Sequence, residues 1–158
     1  MSTPASIAKH PIHPMLVGVP IGLWVFSMVA DLIFLFGWGS SVWKTVALYT
    51  IAGGIVGALI AAVPGFIDFT SISDRGVRKI AVGHLVANLT VVALFALSFW
   101  LRLTNPLGGL PVAVSAIATM LLGVGGWLGG EMVFIHRMGV AEQDKRAAAP
   151  RNRGRRTP

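Results

Sequence analysis

Long uninterrupted apolar runs separated by short polar joints set the pattern of this chain. Four runs, at residues 15–36, 46–68, 80–101 and 112–136, each match the roughly 20 helical residues needed to cross a hydrocarbon layer. Each holds at most one or two ionisable groups. The joints, Gly37-Trp38-Gly39-Ser40-Ser41, then Ser71 to Lys79, then Arg102 to Pro111, are too short to house extramembrane domains. Short connections join antiparallel neighbours, so the pattern predicts an all-α integral membrane protein, a four-transmembrane-helix up-down bundle. The organisation expected is an amino-terminal segment 1–14, a transmembrane domain 15–139 and a basic tail 140–158.

Composition agrees with that pattern. Hydrophobic residues make up 54% of the 158, charged residues 12%, and mean hydropathy is +0.74. A soluble domain averages about 25% charged residues, which argues against a water-soluble fold. Charge then orients the bundle. With the amino terminus inside, the inner side collects Lys9, Arg75, Arg78, Lys79, Arg137 and the tail arginines Arg151, Arg153, Arg155 and Arg156. The outer loops keep Lys44 and Arg102, so the positive-inside rule places both termini in the cytoplasm. The net charge of +7 is explained by topology, and no nucleic-acid partner is expected. The tail reads as disordered chain lying on anionic headgroups, at about 1 kcal/mol per basic residue. Met1 to Ile7 lacks the basic start of a cleavable signal, so the first run is expected to stay as a helix. The absence of cysteine removes disulfides, thiolate metal sites, iron–sulfur ligation and covalent haem attachment.

Small residues recur at spacing four: Gly18 and Gly22, then Gly53, Gly57 and Ala61, then Gly125 with Gly129 and Gly126 with Gly130. In lipid such stripes let helix backbones approach closely, and they are read as packing faces. They also make room for a flat cofactor. Of the five tryptophans, only Trp24 and Trp127 lie deep in a run; the rest are expected as interfacial anchors.

Polar groups gather at the inner edge. His84 stands five residues past Lys79, about 8 Å into the leaflet, and Asn88 is one turn further on the same face. Glu131 is expected at a similar depth on the fourth helix, with His136 nearer the headgroups and Asp68 ending the second helix just after Pro64 and Gly65. In Lys9-His10-Pro11-Ile12-His13-Pro14, each histidine precedes a proline, which disfavours helical angles at both. The segment is expected to be extended, with His13 at the helix mouth and both imidazoles folding towards His84. Asp31 is an acid on the outer half of the first helix, and no partner for it can be named.

These residues resemble a known family. The run His10-Pro-Ile-His-Pro-Met-Leu-Val-Gly-Val-Pro-Ile-Gly-Leu-Trp24, the stretch Gly53 to Asp68, His84 with Asn88-Leu89, and Gly126-Trp-Leu-Gly-Gly-Glu131 are similar, in that order, to the bacterial DUF2231 family of small predicted membrane proteins. The resemblance spans about residues 9 to 140 and implies a bacterial inner-membrane location. Some members of that family are joined to Rieske-type iron–sulfur domains, so the resemblance implies electron transfer with a redox partner of that kind. No such domain lies in these 158 residues.

Three functions fit the polar groups. The first is a redox protein binding haem b or a metal ion through histidines. His84 is then one ligand, His13 or His136 the other, with His10 nearby, and Asp68 or Glu131 orients an imidazole N–H. The second is a proton- or solute-handling protein using Glu131, His84 and Asp68, which with four helices calls for a homo-oligomer. The third is a structural or assembly subunit. No nucleophile–base–acid arrangement, phosphate loop or zinc-protease motif occurs, so no catalytic residue is assigned. The orientation has its own test: a tag on the tail should be shielded from the periplasm in intact cells, and labelling from outside would reverse the assignment.

Overall fold

The computed structural model describes residues 3–8, 10–37, 40–105 and 109–140, so the tail assigned to 140–158 lies almost wholly outside the described residues, as do Lys9 and Trp38. A two-residue hairpin opens the chain, β1 (Ser6–Ile7) antiparallel to β2 (His10–Pro11). Helices α1 (Ile12–Leu16), α2 (Gly18–Leu35), α3 (Val42–Thr70), α4 (Arg75–Thr104) and α5 (Leu110–Gly130) follow, and α5 runs into a π-helical turn, Glu131–Ile135. With α1 and α2 taken together, four segments are long and apolar enough to cross a membrane: Ile12–Leu35, Val42–Thr70, Arg75–Thr104 and Leu110–Ile135.

The helices begin ahead of the apolar runs, and α3 and α4 also continue past them. Asp74 accepts the Val77 N–H at 2.9 Å and starts α4 ahead of the predicted boundary. Pro64 lies buried inside α3, which continues to Thr70. His13, expected outside the helix, sits in the first turn of α1 instead. Pro14 costs nothing there, since first-turn N–H groups have no helical acceptor to lose. Only His10 of the two keeps the extended backbone that its proline favours.

The two helical hairpins, α2/α3 and α4/α5, repeat one another. Buried Pro20, Trp24, Ser27 and Asp31 on α2 recur, 71 residues on, as Val91, Phe95, Ser98 and Arg102 on α4, the first three of them buried. On α3 and α5 the matching buried pairs are Ala47 with Pro111, Ile51 with Ser115, Gly54 with Ala118 and Ala61 with Gly125. Equivalent positions also touch each other. Trp24 stacks on Phe95 with ring centres 4.5 Å apart, and Asp31 pairs with Arg102. Direct contact between equivalents requires a local two-fold axis between α2 and α4, running along the bundle. Around it lies the core of Trp24, Ile51, Val91, Phe95, Ala118 and Leu122.

Glycine sets the tight approaches, though on fewer faces than the stripes suggest. A Cβ on Gly54 would collide with the Trp24 indole, one on Gly53 would press Leu23 at 3.2 Å, and one on Gly57 would press Pro20 at 3.3 Å. Gly18, Gly22 and Gly126, by contrast, meet nothing within 4 Å and lie on the outer surface with Trp127. Much of that surface is bulky and apolar, as lipid requires: Phe26, Ile60, Val86 and Trp127 are all exposed.

At one end of the axis the partner of Asp31 is revealed. Arg102 holds its carboxylate in a two-pronged grip, Nη1 to Oδ1 at 2.8 Å and Nη2 to Oδ2 at 2.6 Å. Arg102 also donates to Ser98 and Ser115, each at 3.3 Å, and those two hydroxyls bond one another at 2.7 Å. Within a slab without water, every donor in this knot is answered by protein.

Two outcomes check this packing. Gly54→Leu should destabilise the protein by about 1 to 3 kcal/mol, whereas Gly18→Ala should leave thermal stability unchanged or raise it by up to about 1 kcal/mol. A loss from Gly18→Ala would restore that stripe as a packing face of the bundle. Asp31→Ala or Arg102→Ala alone leaves a buried charge and should cost roughly 3 to 5 kcal/mol, while Asp31→Leu with Arg102→Met should be far milder. A double-variant loss equal to the sum of the two single losses in unfolding measurements would rule out a coupled ion pair.

Candidate functional site

The opposite end of the axis carries the third pair of equivalents, His13 and His84. Each imidazole lies against a helix of its own hairpin in the same way. Nδ1 of His13 is 2.8 Å from the Ala61 carbonyl oxygen of α3, and Nδ1 of His84 is 2.9 Å from that of Gly125 on α5. One helical turn beyond each carbonyl stands a glycine that leaves room for the ring. A Cβ at Gly65 would come within 2.6 Å of His13 Nδ1, and one at Gly129 within 3.1 Å of His84 Cε1. The spacing-four glycines at this end therefore seat imidazoles.

A carbonyl oxygen only accepts, so each Nδ1 carries a proton, and in a neutral ring it is Nε2 that keeps the lone pair. The ring centres are 6.3 Å apart and the planes stand at 87°. An ion held in line between one nitrogen of each ring, at about 2.0 Å apiece as in an axial pair, would put ring centres roughly 6 Å apart. Backbone carbonyls holding the far nitrogens are the supports expected behind imidazole ligands. Asn88 lies over the His84 ring with its amide nitrogen 3.3 Å from both ring nitrogens, while donating to the His84 carbonyl at 2.8 Å. Gly125 makes that possible, since a Cβ there would press the Asn88 amide at 3.2 Å. With α4 beginning at Arg75, His84 lies about 13 Å along the helix.

The other expected members sit apart from this pair. The exposed ring of His10 turns back to the Ala8 carbonyl at 2.9 Å. His136 ends the π-helical turn, its backbone N–H reaching the Glu131 carbonyl. Glu131 is half-buried and makes no side-chain hydrogen bond or ion pair among the described residues. Asp68 is buried and accepts the backbone N–H of Ala5 at 2.9 Å. Among the described residues no three His, Asp or Glu side chains come together in a metal-binding group, so the donor set here is two imidazoles.

Reading residues singly missed the two carbonyl anchors and the Asp31–Arg102 pair. A signal for the pairings was present. His13, Trp24, Ser27 and Asp31 are matched at one constant offset by His84, Phe95, Ser98 and Arg102.

No curated protein and no solved structure matches this chain. The sequence profile of a family described as predicted membrane protein, DUF2231, matches residues 9–142, which takes in all four spans and both members of the histidine pair. With most of its length matched, the chain belongs to the DUF2231 family of predicted membrane proteins.

Proposed function

We propose that this membrane protein is a redox component holding a metal centre, the iron of haem b or a single transition-metal ion, between His13 and His84. One observation carries the reading: two imidazoles at equivalent positions stand side by side across the two-fold axis, each with Nδ1 tied to a backbone carbonyl, so that Nε2 is the nitrogen to ligate once the Asn88 amide over His84 gives way. The ring separation suits one centre bonded to both. Haem in a helical bundle takes one or two axial histidines, and a single ion takes the same pair with open positions for a further ligand. The half-buried setting of both rings among the helices limits access of water and tunes the potential of a bound centre.

The wider setting follows the same reading. With basic residues inside, the site faces the cytoplasm of a bacterial inner membrane, and electrons pass to or from a redox protein docking at that end. A Rieske-type protein is one such partner.

Detergent-purified protein, made with haem and metals available, should show a Soret band with a reduced-minus-oxidised difference, or one metal ion per chain. Neither signal would end this reading. His84→Ala and His13→Ala should each lower occupancy at least tenfold, while His10→Ala and His136→Ala should leave it unchanged. An unchanged spectrum in His84→Ala would remove the ligand assignment.

A further inference from the structure

The two histidines are equivalent in place but not in support. His84 is preceded by nine residues of continuous α4, so the helix alone holds it. His13 has only Ile12 before it in α1, and Pro11 at the cap position offers no side-chain hydrogen bond. First-turn N–H groups have no helical partner, so such a turn frays unless something outside the helix accepts them. Here the acceptor is the Ala5 carbonyl, which takes the Ile12 N–H at 3.0 Å. Ala5 is itself buried, and its own N–H is taken by the Asp68 carboxylate at 2.9 Å.

A chain of two hydrogen bonds thus runs from the end of α3 through a strap formed by residues 3–8 and 10–11 to the turn that carries His13. The β1–β2 pairing closes the strap on itself, with Ser6 opposite Pro11 and Ile7 opposite His10. The chain after α5 covers it from outside. Gly139, at φ +74°, packs so near that a Cβ would lie 2.9 Å from Pro11 and 3.5 Å from Thr3. In the second hairpin the position matching Asp68 is Met132, buried in an apolar cluster with Ile72, Val77 and Ala81. The carboxylate therefore belongs only to the half that needs a strap.

We propose that Asp68 is the positioning residue of the histidine site, holding His13 against His84 through the amino-terminal strap while touching neither ring. The functional consequence rests on the metal-centre reading above; the mechanical part does not. Release of the Ala5–Asp68 bond frees the strap, the first turn of α1 loosens, and His13 leaves the Ala61 carbonyl while His84 stays on Gly125. Ligand then enters and leaves from the His13 side.

The test uses the full chain in detergent, comparing wild type with Asp68→Ala and Asp68→Asn. Asparagine keeps an oxygen that accepts the Ala5 N–H. Two readouts need no ligand: hydrogen exchange at the Ala5 and Ile12 amides, and the imidazole ¹⁵N signals that report which ring nitrogen carries the proton. In Asp68→Ala, exchange at both amides should rise at least tenfold and His13 should lose its fixed Nδ1–H signature while His84 keeps its own. Asp68→Asn should restore most of both. Haemin and zinc(II), titrated separately, should bind Asp68→Ala at least tenfold more weakly than wild type.

Unchanged exchange in Asp68→Ala overturns the proposal, as does a freed strap with an undisturbed His13 signature. If wild type takes up neither probe but the exchange and ¹⁵N changes appear, the metal-centre reading fails and the positioning role stands. Should Asp68→Ala not fold, deletion of residues 1–7 removes the same bond from the other side and faces the same criteria.

Discussion

Three contacts between matching positions of the two hairpins hold this bundle in register, and each uses a different interaction. At one end an arginine grips an aspartate, in the middle an indole stacks on a phenyl ring, and at the other end two imidazoles stand with their planes perpendicular. Lipid gives helices no hydrophobic reason to associate, so packing contacts and satisfied polar groups must supply the specificity. Putting all three on one axis allows α2 and α4 to settle in a single relative register. A slip of one residue would unstack the rings and strand a charge at once.

The polar groups can live in this slab because each finds protein to bond. A charge left alone there costs roughly 2.5 to 3.5 kcal/mol on insertion scales, and an unanswered backbone group is also expensive. Asp31 is neutralised by Arg102, and the serines around the guanidinium take up two more of its N–H groups. At the histidine end the answer comes from main chain. Helical carbonyls already bonded along α3 and α5 accept a second donor from an imidazole, and glycines one turn on give the rings the space to reach them. The two ends differ in outcome. The ion pair consumes its own donors and acceptors, whereas each ring of the histidine pair, when neutral, keeps an Nε2 lone pair, the one on His84 beneath the Asn88 amide.

Much of the architecture was legible along the chain. Four apolar runs of membrane length and three short joints specify four spans, and the structure extends them unevenly, most at the start of the third, where the Asp74 cap begins α4 ahead of the apolar boundary. The gathering of His13, His84, Asn88 and Asp68 at one end follows from up-down topology alone. Two expectations about local shape needed revision. His13 is helical despite the following proline, because a first turn tolerates what a helix interior does not. Gly18 and Gly22 face outward, because a stripe of small residues shows that a helix can be approached closely and not which neighbour approaches it.

Sequence by itself determined that this chain crosses a membrane four times as helices, since span length and apolarity are local quantities set by hydrocarbon thickness. It also determined which end of the bundle carries the histidines. Only the tertiary structure decided that His13 and His84 meet while His10 and His136 do not, that Arg102 is the partner of Asp31, and that Asp68 serves the strap rather than a ring. Those outcomes depend on how each helix is rotated about its axis and on a few backbone carbonyls. Rotation in lipid is fixed by contacts between helices, which residue types along one helix do not specify.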